Sequence, residues 1–145
     1  MADYKNLTKS EIERFLQNNQ HGILALAGDK PYALPMGYMY KRKAILLGLA
    51  TAGSMVTTGR KMNYLQESKQ VCFTVCKPRW YGETVKTPCT TLIIEGSLEE
   101  VTNRSYYGIK KIPQTVQLKL YKIKVAKMWA RKCNRKPCEL LAARK

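Results

Sequence analysis

The sequence predicts a mainly β protein, an antiparallel six-stranded β-barrel with helical attachments. Strand-like runs recur along most of the 145 residues. The early runs are joined by the tripeptides Gly28-Asp29-Lys30 and Lys41-Arg42-Lys43, too short for a parallel crossover of about a dozen residues. Helical patterning appears in only two places. One core, and so one domain, suits this length: a barrel over residues 1–130 and a basic tail over 131–145.

The first helix opens at Leu7-Thr8-Lys9-Ser10-Glu11-Ile12. Thr8 takes the N-cap and Glu11, three residues on, completes a capping box, with Leu7 and Ile12 as the hydrophobic staple. Ile12, Phe15 and Leu16 form an i, i+3, i+4 stripe, and the helix should end near Gln20 to Gly22. Three runs follow, Gly22–Ala27, Pro31–Tyr40 and Ala44–Ala50, read as an antiparallel meander. Pro35 marks an edge or a bulge in the second, because proline cannot donate to a ladder. After a stretch of small and hydroxyl residues, a second helix is expected over roughly Thr58 to Glu67, with Met62 and Leu65 facing in.

Gln70–Lys77 is a clear strand, placing Val71, Phe73 and Val75 on one face and Cys72, Thr74 and Cys76 on the other. Pro78–Pro88 reads as a loop holding Trp80 and Tyr81. Thr90–Val101 should be a strand bent at Gly96, and Asn103–Thr115 is weakly patterned. In Gln117–Ala126, Leu118, Leu120, Ile123 and Val125 alternate with lysines around a register change near Tyr121. The tail from Met128 onward is basic without a clear period.

Composition narrows the function. With 45% hydrophobic residues the chain can build a core, and no apolar run reaches the ~18–20 residues that span a bilayer. Met1–Leu16 is mixed polar, so no secretory leader and a cytoplasmic location are expected. The net charge is +16, and residues 104–145 hold 13 basic side chains against Glu139 alone. That excess fits either a solvated basic face or a polyanion surface. Tyr106, Tyr107, Tyr121 and Trp129 lie among the cations, which keeps a nucleic-acid-binding module as the alternative reading rather than the expected one. Five cysteines, an odd number, do not suggest a disulfide framework. Cys72 and Cys76 read as small buried hydrophobes, and Cys133 with Cys138 as a redox-active or incidental thiol pair. His21 is the one histidine, so no metal site is expected.

The chain holds no Gly-x-Ser-x-Gly elbow, no Gly-x-x-x-x-Gly-Lys loop and no Gly-x-Gly-x-x-Gly turn. No side chain is assigned a catalytic role. What stands out is Thr57-Thr58-Gly59-Arg60-Lys61 at the start of the second helix. Free N–H groups and positive partial charge at a helix start favour a phosphate. Arg can grip its oxygens in bidentate fashion while Lys adds a point charge. Solvated cations at a helix-start loop are the other reading.

The order of these elements resembles the pyridoxamine 5′-phosphate oxidase-like FMN-binding split-barrel family, and within it the flavin-nucleotide-binding and nitroimidazole-resistance subgroup. Leu7–Leu16, Gly22–Ala27, Pro31–Tyr40, Gly59-Arg60-Lys61, Gln70–Val75 and Thr91–Gly96 carry the resemblance. It implies a split barrel that works as a homodimer, with FMN at the subunit interface and electrons passed to a small-molecule acceptor; the alternative is a non-catalytic module that stores flavin or binds another flat anionic cofactor. Arg60 and Lys61 would grip the phosphate, helped by Thr57 or Thr58. The flavin would rest on Pro35, Met36, Gly37 and Tyr38 and on Leu49, Ala50 and Thr51. Thr90 and Thr91 would approach from the partner, and Trp80 and Trp129 would stack on the ring or line the substrate side. The tail lacks the Arg-x-His-x-Arg-type motif of pyridoxamine phosphate oxidases proper, which argues against vitamin B6 oxidation. Gly48 stands where the subgroup often carries a histidine, and is expected to leave room for the flavin or a larger substrate.

Overall fold

The computed structural model describes residues 4–52, 58–77, 89–110 and 117–133. A short strand β1 (Tyr4–Asn6) leads into helix α1 (Lys9–Gln17). Strands β2 (His21–Leu26), β3 (Tyr32–Gly37), β4 (Met39–Lys41) and β5 (Ala44–Ala52) come next, then helix α2 (Thr58–Glu67). Strands β6 (Gln70–Lys77) and β7 (Cys89–Glu100), a 3-10 turn at Arg104–Tyr107 and strand β8 (Gln117–Cys133) complete the order.

All eight strands form one antiparallel sheet in the order β3-β2-β6-β7-β8-β5-β4, with β1 added alongside β8. The two ends of that order, β3 and β4, are separated in the chain by Tyr38 alone. The sheet therefore has to curl until its ends meet, which makes it a barrel, and β3 comes alongside β5. The six expected strands are all present, and β1 and β4 are additional.

Tyr38 explains why the run 31–40 divides. Its backbone N–H donates to the Gln20 carbonyl at 2.9 Å and its hydroxyl to the Leu16 carbonyl at 2.8 Å. The residue leaves the ladder to hold the end of α1. Pro35 lies on β3, an edge strand of the sheet order, as its missing N–H requires.

The capping box at α1 is formed: the Glu11 N–H donates to Thr8 Oγ1 and the Thr8 N–H to Glu11 Oε1, both at 3.3 Å. These bonds from Thr8 hold the Glu11 carboxyl below the usual carboxylate range. Ile12 and Leu16 are buried, with Leu7 and Phe15 packed on the same core. That core fills the barrel with Leu24, Leu47, Leu49, Phe73, Val75, Leu92 and Ile94, and the Tyr38 ring meets Phe73 edge-on at 5.7 Å. Leu65 of α2 is buried and Met62 packs partly against it.

A second, smaller core lies on the opposite face of β5 and β8. Leu46, Leu120 and Val101 are buried there, with Ala44, Tyr107 and Ile109 against them. Asn103 caps the turn that covers this face, and Arg104 Nη2 donates to the Leu118 carbonyl at 2.9 Å. This accounts for the pattern at Tyr121. The β5–β8 ladder is unbroken there, and the neighbours Leu120 and Tyr121 are both buried because each face has its own core. The register shift falls elsewhere, between Glu95 and Gly96 of β7, where β8 carries Ala126 as an extra residue. A Cβ on Gly96 would collide with the Lys124 backbone carbonyl. Beyond this bulge Val125 is exposed rather than inward.

The cysteines of β6 also differ from expectation. Val71, Phe73 and Val75 take the inner face, while Cys72 is half-buried and Cys76 exposed on the outer one. Strand β8 continues to Cys133. Trp80, Tyr81, Thr57 and Cys138 lie outside the described residues.

Candidate functional site

Helix α2 packs on β5 and β2, which sets its first turn beside the β2–β3 end of the barrel. There Arg60 is exposed, and its guanidinium lies 4.8 Å above the Tyr32 ring. Tyr32 stacks in turn on Tyr64 at 5.2 Å, and the Tyr64 hydroxyl donates to the Lys30 carbonyl at 2.9 Å. A stacked guanidinium is oriented by its plane while its N–H donors stay available at the edge. Lys61 is half-buried and makes no ion pair among the described residues. Burial pushes its ammonium below the usual lysine range. A desolvated cation without a carboxylate partner is one that an anion would stabilise.

Strand β3 runs away from this cation pair with a strict alternation. Tyr32, Leu34 and Met36 turn toward the core, while Ala33, Pro35 and Gly37 are exposed. The exposed side is thus a ledge of small residues, low enough for a flat ring to lie against.

Of the expected ring contacts, Pro35 and Gly37 have exposed positions. Met36 is half-buried against the core, Tyr38 is buried with its hydroxyl engaged by Leu16, and the Leu49 side chain is fully buried. Those three can offer a ligand mainly backbone. Ala50 and Thr51 belong to β5, alongside β3, and Thr58 opens α2.

Gly37 and Gly48 line a cavity of roughly 540 Å³ between the end of α1 and the β3–β4 corner, together with Gln17, His21, Tyr40 and Lys41. A Cβ at Gly48 would lie 2.9 Å from Leu118 Cδ2, so a larger residue there would press on the Leu118 side chain. The lining side chains escaped sequence reasoning, as did Tyr32 and Tyr64. They meet only through the barrel's closure and carry no spacing signal of their own.

Thr90, Thr91 and Trp129 lie apart from these groups, on β7 and β8. Thr90 is buried opposite Lys132, Thr91 half-buried opposite Arg131, and Trp129 half-buried opposite Ile93 with the Lys127 ammonium 4.9 Å from its ring. A single chain does not unite them with Arg60 and Lys61. Across the outer face of the sheet, Pro35, Ile23, Thr74, Ile93 and Trp129 are cross-strand neighbours in one continuous row. Ile23 in that row is 44% exposed. Among the described residues no cluster of His, Cys, Asp and Glu could hold a metal ion, and no helix is long and apolar enough to cross a membrane.

A split barrel with this element order defines the class of protein. The pyridoxamine 5′-phosphate oxidase family model matches residues 8–106, and the chain belongs to that family. Solved structures share the fold at low identity. A candidate pyridoxamine 5′-phosphate oxidase of Corynebacterium glutamicum is 14% identical with a TM-score of 0.68, covering 90% of this chain and 94% of its own. A FAD-binding protein of Mesorhizobium loti is 18% identical with a TM-score of 0.63, covering 89% and 97%. A candidate 5-nitroimidazole antibiotic resistance protein of Bacteroides thetaiotaomicron is 16% identical with a TM-score of 0.61, covering 89% and 88%. No curated protein matches the chain.

Proposed function

We propose that this protein binds FMN at the interface of a homodimer and passes electrons through it to a small-molecule acceptor. The observation that carries this reading is the pairing of Arg60 and Lys61 at the start of α2 with the exposed small-residue ledge of β3. The cations fit a phosphate monoester: Arg60 offers an edge of N–H donors and Lys61 a partly desolvated charge. Ala33, Pro35 and Gly37 fit one face of a planar ring. Flavin recognition by a structural neighbour of the same fold supports the choice of cofactor.

The bound flavin would supply hydride and one-electron chemistry, so the chain need contribute no nucleophile or general base. Its own residues bind and orient. Arg60 is held in plane by Tyr32, and Tyr38 fixes α1 against the β3–β4 corner. The cavity beside Gly37, lined by amides, His21 and Lys41, offers a polar acceptor a place next to the ledge. The dimer rests on two features. Thr90, Thr91 and Trp129 lie on strands apart from the cation pair within one chain, and the row from Pro35 to Trp129 carries no charged side chain.

Equilibrium binding of FMN to the Arg60→Ala/Lys61→Ala variant tests the phosphate grip. Each lost charge-assisted hydrogen bond is worth about 1.5–3 kcal/mol, so affinity should fall by ten-fold or more. Unchanged affinity in a folded double variant overturns the assignment.

A further inference from the structure

We propose that Cys89 and Cys133 form a reversible cross-strand disulfide, an oxidation site built into the β7–β8 ladder. The two residues are direct register partners at the end of that ladder. Directly opposed residues on antiparallel strands point to the same face, with Cα atoms ~4.5–5.5 Å apart. That separation lies within the ~4.4–6.8 Å that disulfides span. Neither residue needs a new backbone course to bridge.

The same register excludes the other described thiols. Cys76 pairs with Thr91, two residues from Cys89, and its Sγ lies 3.6 Å from Thr91 Oγ1. A diagonal neighbour of this kind is ~7–8 Å away between Cα atoms, past the disulfide limit. Cys72 and Cys76 share a strand four residues apart, on the order of 13 Å at the usual rise per residue. Both expose sulfur on the outer face, and Cys76 more so, yet geometry leaves each without a disulfide partner in the sheet. Accessibility thus favours Cys76 for oxidation, whereas register favours Cys89 with Cys133 for bridging.

The pair sits four ladder positions beyond the Ile93–Trp129 pair, with Thr91 opposite Arg131 between them on the same face. It therefore lies at the end of the sheet face rather than in the apolar row. Bridging joins the last residue of β8 to the first of β7 and so pins that end of the ladder against local opening. In the reaction the two thiols lose two protons and two electrons, the S–S bond forms, and a peroxide oxidant takes them up to become two water molecules. A dithiol reductant reverses the step. Strand register alone brings the two thiols together, with or without a bound flavin.

The test uses the full-length protein treated with hydrogen peroxide, alkylated, digested and mapped by mass spectrometry. The expected result is a Cys89–Cys133 linked peptide that disappears with dithiothreitol. It should persist in Cys138→Ser and Cys76→Ser and be lost in Cys89→Ser and in Cys133→Ser. A rise in melting temperature on oxidation of the wild type, absent in Cys133→Ser, is the second readout. Two results overturn the proposal. One is a Cys133–Cys138 bridge in place of the cross-strand one. The other is complete oxidation of Cys76 with Cys89 and Cys133 still alkylated separately.

Discussion

Tyr38 shows how one side chain links fold and site. Its phenol is buried, with the hydroxyl donated to Leu16, and burial pushes its pKa up to about 12. The neutral form is favoured in the fold. That stabilisation is complete below the ordinary tyrosine value of about 10 and is lost as pH rises to about 12. Tyr38→Phe should cost ~1 kcal/mol at neutral pH through the lost hydrogen bond. It should also flatten this part of the alkaline unfolding profile, which chemical denaturation at stepped pH will show. Gly22 is equally constrained. A Cβ there would stand 2.5 Å from the Phe73 ring and 2.7 Å from the Thr74 carbonyl oxygen, so Gly22→Ala should lose about 1–3 kcal/mol by overpacking, read from the denaturation midpoint. At Lys61, phosphate binding needs the protonated amine. FMN affinity should therefore decline as pH rises through its depressed pKa, earlier than for an exposed lysine. Lys61→Arg should remove that decline.

At the scale of elements, legibility in the sequence follows locality. The capping box of α1, the bounds of α2 and the alternation of β6 depend on residues within a turn or a few positions of each other, and all three are as the sequence reads. The irregularity at Gly96 is legible because a lone glycine in a strand marks close backbone approach. The run 31–40 reads as one strand but divides, because the Tyr38 hydroxyl donates to Leu16 of α1, 22 residues earlier in the chain. Leu120-Tyr121 looked like a register change because a second core, formed by Val101, Tyr107 and Ile109, covers a face that alternation alone assigns to water. The site divides similarly. The Arg60-Lys61 pair was legible as a helix-start motif, whereas Tyr32 beneath Arg60 and the cavity beside Gly37 exist only after closure. Side-chain direction is the other gap: Met36 on β3, Leu49 on β5 and Tyr38 between β3 and β4 turn into the core.

For the whole molecule, the closed order from β3 to β4 leaves one outer sheet face with its row of Pro35, Ile23, Thr74, Ile93 and Trp129. If a second copy covers that row, Ile23→Asp should shift the particle from dimer to monomer mass in light scattering. FMN binding should fall with it, because half of each site is then missing. The surplus positive charge is spread along β8, where Lys119, Lys124, Lys127 and Arg131 are exposed, and among the described residues Lys122 forms an ion pair, with Glu99 at 3.6 Å. An exposed pair of this kind contributes little. The measurement that bears most directly on the central claim is a parallel titration of the purified protein with FMN and with riboflavin, followed by flavin fluorescence. FMN should bind saturably at one per chain, and riboflavin, which lacks the phosphate, about ten-fold or more weakly. Equal affinities, or no saturable binding of FMN, would contradict the account.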